Sequence, residues 1–192
     1  STYECIYEYK EEEKSTIMNF ITFSKNDSEL VFASGGVDGN IIMFQYKNDK
    51  FISYKIFAHE YGVNAIDFNP NNPSELVSCG NDNLIKIWVL NKETLKCEHK
   101  SSIEDIDMVI NDVVFKPLSN EECFSCCGDD GTAYLFWKEG EQWIKKEIAN
   151  FDKSICKLSW NENGTVLMSV LNDGELHPIE QENLILENNN EN

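Results

Sequence analysis

His59, Ser78 and Asp82 are the residues whose types most readily suggest chemistry, because an imidazole, a hydroxyl and a carboxylate are the parts of a nucleophilic triad. A triad also needs an exposed nucleophile and an oxyanion hole. Ser78 lies inside the apolar run Leu-Val-Ser-Cys-Gly at 76–80, which predicts a buried hydroxyl in a structural relay and no catalytic residue. Cys123, Cys126 and Cys127 suggest half of a zinc site. Zinc takes four ligands, whereas residues 123 and 126 of a strand face opposite sides and no second pair is near in sequence. Buried structural thiols and no metal are therefore expected. No phosphate-binding loop, dinucleotide-binding glycine pattern or paired catalytic carboxylates occur, so neither an enzyme nor a cofactor is expected.

Charge restricts the partners. The chain carries 34 acidic against 16 basic residues, a net charge of −18, and every basic residue is Lys. Affinity for nucleic acid rests on phosphate neutralisation and on the guanidinium fork, so a DNA or RNA partner is not expected. No apolar run approaches the ~20 residues that span a bilayer, and no signal-peptide core is recognisable; direct membrane insertion is not expected. Seven Cys, mostly inside apolar runs, fit a reducing compartment. The acidic runs Glu11, Glu12, Glu13 and Glu104, Asp105, Asp107 read as solvated loops, or as part of a partner surface. Residues 182–192 form a polar, Asn-rich tail expected to be disordered.

The elements that must position these residues come as a repeat. Four apolar segments end in an aromatic at Phe23, Phe68, Phe115 and Trp160, spaced 45, 47 and 45 residues apart. A second run then enters a turn at Asp38, Asp82, Asp130 or Asp173, spaced 44, 48 and 43. Each turn acid is followed by Gly or Asn, residues that tolerate the positive φ of a two-residue hairpin. Six residues beyond each turn acid stand Phe44, Trp88, Phe136 and Ile179, and a more polar fourth strand follows each of the first three units. Four short antiparallel strands per unit predict an all-β propeller of four consecutive four-stranded blades, with repeats at about 10–57, 58–99, 100–148 and 149–187. The first blade is expected near 17–23, 30–35, 41–46 and 51–57. An open arc is preferred over a four-blade ring closed by a strand at 3–9. Trp137 and Trp143 flank a turn, either closing the hairpin or forming an exposed hot spot.

In the second repeat His59, Ser78, Asp82 and Trp88 match the WD-repeat pattern, in which these side chains form a hydrogen-bonded relay. Other repeats keep only part of it: Ser34 with Asp38, Cys126 with Asp130, and Ser169 with Asp173. The strings at 58–70, 79–88, 110–117 and 136–148 are similar to the later blades of the small WD-repeat subunits of the COPII outer coat, which also serve in the Y-shaped scaffold of the nuclear pore. The resemblance covers residues 1–181 and implies an open fragment of a six-bladed propeller. It further implies a non-catalytic scaffold on the cytoplasmic side of ER membranes, on COPII vesicles and at nuclear pores. An α-solenoid coat protein or nucleoporin would donate a β-blade beside the last repeat. Leu176, Pro178 and Ile179 are then the expected partner edge, and Pro178, which cannot donate to a sheet ladder, makes that strand irregular or places it at an edge. The rival from another class is an adaptor that binds peptides on the propeller face.

Overall fold

The computed structural model describes Glu8, residues 17–25 and residues 29–179. The expected strand at 3–9 (Glu8 apart), the acids at 11–13, the last strand of the fourth repeat and the tail at 182–192 lie outside the described residues.

Within them the chain is a succession of strands and turns. The first blade is β1 (Met18–Phe23), β2 (Leu30–Gly36), β3 (Asn40–Lys47) and β4 (Lys50–Phe57). The second is β5 (Val63–Phe68), β6 (Glu75–Gly80), β7 (Ile85–Asn91) and β8 (Lys96–Ile103). The third is β9 (Ile110–Phe115), β10 (Cys123–Gly128), β11 (Thr132–Glu139) and β12 (Gln142–Asn150), and the fourth contributes β13 (Ile155–Trp160), β14 (Leu167–Leu171) and β15 (Leu176–Ile179). Each sheet is a meander in sequence order with antiparallel neighbours. The expected windows of the first blade coincide with β1–β4 to within a residue or two. β15 is the outermost described strand of the fourth blade and is regular, the second of the two expectations: Pro178 stands opposite Met168 with no register shift.

The turns explain the spacing of the acids. Asp38, Asp82, Asp130 and Asp173 each accept the backbone N–H two residues on, at 3.1, 3.3, 2.8 and 3.1 Å. That local bond fixes a tight turn, and the next residue in each has positive φ: Gly39, Asn83, Gly131 and Gly174. Gly39 is further constrained, since a Cβ there would lie 1.9 Å from the His59 carbonyl oxygen.

Stacking of the blades makes the core. Val31, Ala33, Ile41 and Met43 of the first blade meet Ile66, Phe68, Leu76 and Trp88 of the second. Val77, Cys79 and Ile87 of the second meet Phe115, Phe124, Cys126 and Phe136 of the third. Cys123, Cys127, Leu135 and Trp137 of the third meet Ile155, Leu158, Leu167 and Ile179 of the fourth. Cys123 and Cys126 thus lie on opposite faces of one strand, in different cores. The two tryptophans also part: Trp137 is buried against the fourth blade, while Trp143 packs toward the second, its ring 5.0 Å from Phe124. They form no shared exposed patch.

In every blade the third-strand apolar residue and its second-strand neighbour face the preceding blade. For the first blade no preceding blade lies on that side among the described residues, and Phe32 and Phe44, stacked at 4.7 Å, line an apolar hollow of about 430 Å³ with Met18, Phe20 and Ile21. On the other outer face, that of the fourth blade, Leu176 is 63% exposed.

Candidate functional site

The second blade assembles the four residues expected to act together. The Trp88 indole N–H donates to Ser78 Oγ at 2.9 Å, and Ser78 Oγ lies 2.7 Å from His59 Nε2. His59 Nδ1 lies 2.8 Å from Asp82 Oδ1. The Asp82 carboxylate only accepts, so His59 carries its proton on Nδ1 and donates it there; in the neutral ring Nε2 then accepts the Ser78 hydroxyl proton, while Ser78 Oγ accepts from the Trp88 indole. Burial lowers the His59 pKa, against the Asp82 carboxylate beside it, which agrees with that neutral tautomer. The Ser–His–Asp order is triad-like, but Ser78 and His59 are both 0% exposed, and no substrate carbonyl can reach the hydroxyl.

The other blades use the equivalent positions differently. Ser34 Oγ donates to the Phe20 carbonyl and Ser169 Oγ to the His177 carbonyl, both at 3.0 Å. Cys126 is wholly buried, and burial pushes its thiol up, as it pushes Cys123 to about 12.

Two sets of inter-blade contacts escaped the sequence reading. Asn19, Asn64 and Asn111 each stand four residues before the inner-strand aromatic, where the pairing with the second strand slips by one. A bulge re-aims its extra side chain. Here each amide reaches the next blade: Asn19 donates to the Val63 carbonyl at 3.3 Å, Asn64 to Ile110 at 2.9 Å and Asn111 to Ile155 at 2.9 Å. Cys156 holds the same place in the fourth blade, at the same slip in register. The second set is carboxylate to backbone. Asp67 accepts the Phe115 N–H of the following blade at 2.8 Å, and Asp112 accepts the Leu158 N–H at 2.9 Å together with Lys157 Nζ at 3.1 Å. An asparagine recurring at one offset from the aromatic was visible in the sequence; its reach across the blades was not.

The expected partner edge divides. Leu176 and Pro178 are exposed on the outer face of the fourth blade, whereas Ile179, 4% exposed, is packed against the third. Alternation along β15 puts Leu176 and Pro178 on one face and turns the Ile179 side chain to the other, while its backbone stays in the outermost described strand of the sheet.

Comparison with known proteins fits this architecture. The family described as "WD domain, G-beta repeat" matches residues 51–89, the stretch that contains the complete relay. Protein transport protein sec13 of Emericella nidulans is 24% identical over 168 residues, covering 78% of this chain and 54% of that protein. Protein transport protein SEC13-2 of Candida glabrata is 24% identical over 180 residues, covering 80% and 58%, and the SEC13 homolog of Caenorhabditis briggsae is 27% identical over 155 residues, covering 75% and 50%. The chain thus spans about half the length of the curated relatives it matches. A chain in the crystal structure of a mitotic checkpoint complex superposes with a TM-score of 0.71 over 88% of this chain and 50% of that one, at 17% identity, a likeness of fold. Repeat, relay and blade stacking together make the chain a WD-repeat β-propeller, similar in sequence to the SEC13 transport proteins.

Proposed function

We propose that the chain is the propeller portion of a non-catalytic scaffold subunit in vesicle-coat assembly, of the COPII type, and in the Y-shaped scaffold of the nuclear pore. It would work at the cytoplasmic side of ER membranes, on COPII vesicles and at nuclear pores. The relatives named as protein transport proteins support the transport role. The observation that carries the reading is the pair of blade faces that no other described residues cover. Met18, Ile21 and Phe23 of the first blade and Leu176 of the fourth are exposed large apolar residues, and among the described residues no core cluster joins these two blades. Apolar sheet faces of this kind call for another sheet. An α-solenoid coat protein or nucleoporin that donates a β-blade would supply one by extending the propeller.

Co-expression with the N-terminal blade segment of a cognate solenoid tests this. The complex should melt higher than the chain alone, because a ligand of the native state stabilises it by mass action. Leu176→Asp should remove the gain while leaving the isolated chain folded. A melting temperature indifferent to the segment overturns the blade-donation reading.

A further inference from the structure

The inner strands end in a cavity that neither the relay nor the open faces use. It measures about 560 Å³, within the range of ligand pockets, and opens between the loops that follow β5, β9 and β13. Asp67 stands in its lining at 7% exposure. The Phe115 N–H holds Asp67 Oδ2, while Oδ1 has the Lys25 ammonium at 3.9 Å, too long for a hydrogen bond. Lys25 itself is 58% exposed and free to swing out into water. A second group in the lining also draws a cation: the Trp160 ring carries the Lys116 ammonium 5.3 Å from its centroid. Pro117 and Leu118 give apolar wall, and Glu162 adds negative charge at the rim.

A buried carboxylate, an aromatic face and an apolar wall are the parts of a cation pocket. We infer that this cavity receives an arginine side chain of a partner polypeptide, its guanidinium on Asp67 and its stem along Trp160 and Leu118. Arginine fits better than lysine because its planar fork meets a carboxylate through two hydrogen bonds and stacks on an indole. The chain has no arginine of its own, and its net charge of −18 draws basic partners at long range. Burial raises the Asp67 pKa to about 6, so the free cavity stabilises this carboxylate less than water does. The site is independent of the coat reading, since its lining shares no residue with the exposed apolar set Met18, Ile21, Phe23 and Leu176.

The test is a titration of the full chain with N-acetyl-arginine methylamide, following the Phe115 amide and Trp160 indole signals by nuclear magnetic resonance. N-acetyl-citrulline methylamide, alike in shape and uncharged, is the control. Saturable shifts at both signals are expected with the arginine probe, and binding about tenfold weaker or more with citrulline, the effect of losing a charged hydrogen-bond partner. Asp67→Asn should abolish the difference between probes, and Lys25→Met should tighten arginine binding by removing the competing ammonium. Equal response to both probes, no saturable shift, or Lys25→Met leaving arginine binding unchanged overturns the proposal.

Discussion

Replacing Ser78 by Ala removes the one atom that both Trp88 and His59 use. Ser78 Oγ accepts from the indole at 2.9 Å and donates to His59 Nε2 at 2.7 Å, inside a strand with no exposure to water. The substitution leaves a buried N–H donor and a buried ring nitrogen without partners. Each orphaned group costs about 1–3 kcal/mol, and the small cavity left by one oxygen adds little, so the loss should be roughly 2–5 kcal/mol. Urea unfolding followed by tryptophan fluorescence reads it directly. Coupling sharpens the test. In a cycle with Trp88→Phe, the second substitution should cost less in the Ser78→Ala background, because its indole N–H is already unpaired there; a coupling of about 0.5–3 kcal/mol is expected. A loss under about 0.5 kcal/mol, or full additivity, would refute the relay as the source of stability.

Asp67 should make stability rise as pH falls. Its pKa is about 6 in the fold against 3.8 in the unfolded chain, so the native state takes up a proton first and gains stability from pH 7 downward. The Asp67 contribution should be about 1 kcal/mol between pH 7 and pH 5, read as the difference between wild type and Asp67→Asn in urea titrations at the two pH values, since Asp112 and His59 also titrate differently on folding. Gly39→Ala should cost more than Gly174→Ala, although both have positive φ. A Cβ at 39 meets the His59 carbonyl oxygen at 1.9 Å and one at 174 meets nothing within 4 Å, so thermal melts should show about 3 kcal/mol or more against about 1. Asn64→Ala should lose about 1–2 kcal/mol through the Ile110 carbonyl contact, with faster hydrogen exchange at the junction of the second and third blades.

The repeat was legible because local chemistry enforces it. Each blade needs an aromatic at the end of its inner strand and an acid that bonds two residues ahead, and such offsets survive as spacing. The relay was legible in the second blade, where all four members are present. What stayed hidden depends on neighbours. Asn64 and Asn111 look like polar interruptions of apolar strands until a bulge turns them toward the next blade. Asp67 and Asp112 look like ordinary strand acids, and only stacking brings their carboxylates to the N–H groups of Phe115 and Leu158. Ile179 was legible as the counterpart of Phe44, Trp88 and Phe136, and its side chain packs on the third blade as those of Trp88 and Phe136 pack on the blades before them.

The series Asn19, Asn64, Asn111, Cys156 also bears on whether the blades close upon themselves. In the first three blades the amide donates to the carbonyl of the residue just before the equivalent position in the next blade. A four-blade ring would need residue 156 to reach the Met18 carbonyl in the same way. Cysteine has a shorter side chain and a weak S–H donor, so the regular clasp ends at the fourth blade. The axis itself remains within reach of both ends, since the Lys157 ammonium lies 4.3 Å from the Phe20 ring centroid. Further out, the first blade shows its aromatic face and the fourth shows Leu176, with no shared core among the described residues. Among the described residues this seam touches at the axis but lacks the amide clasp that joins the other three junctions. Asn at position 156 therefore makes a discriminating variant: if the four blades form a ring in solution, Cys156→Asn should stabilise it by about 1 kcal/mol, and in an open arc the change should be neutral.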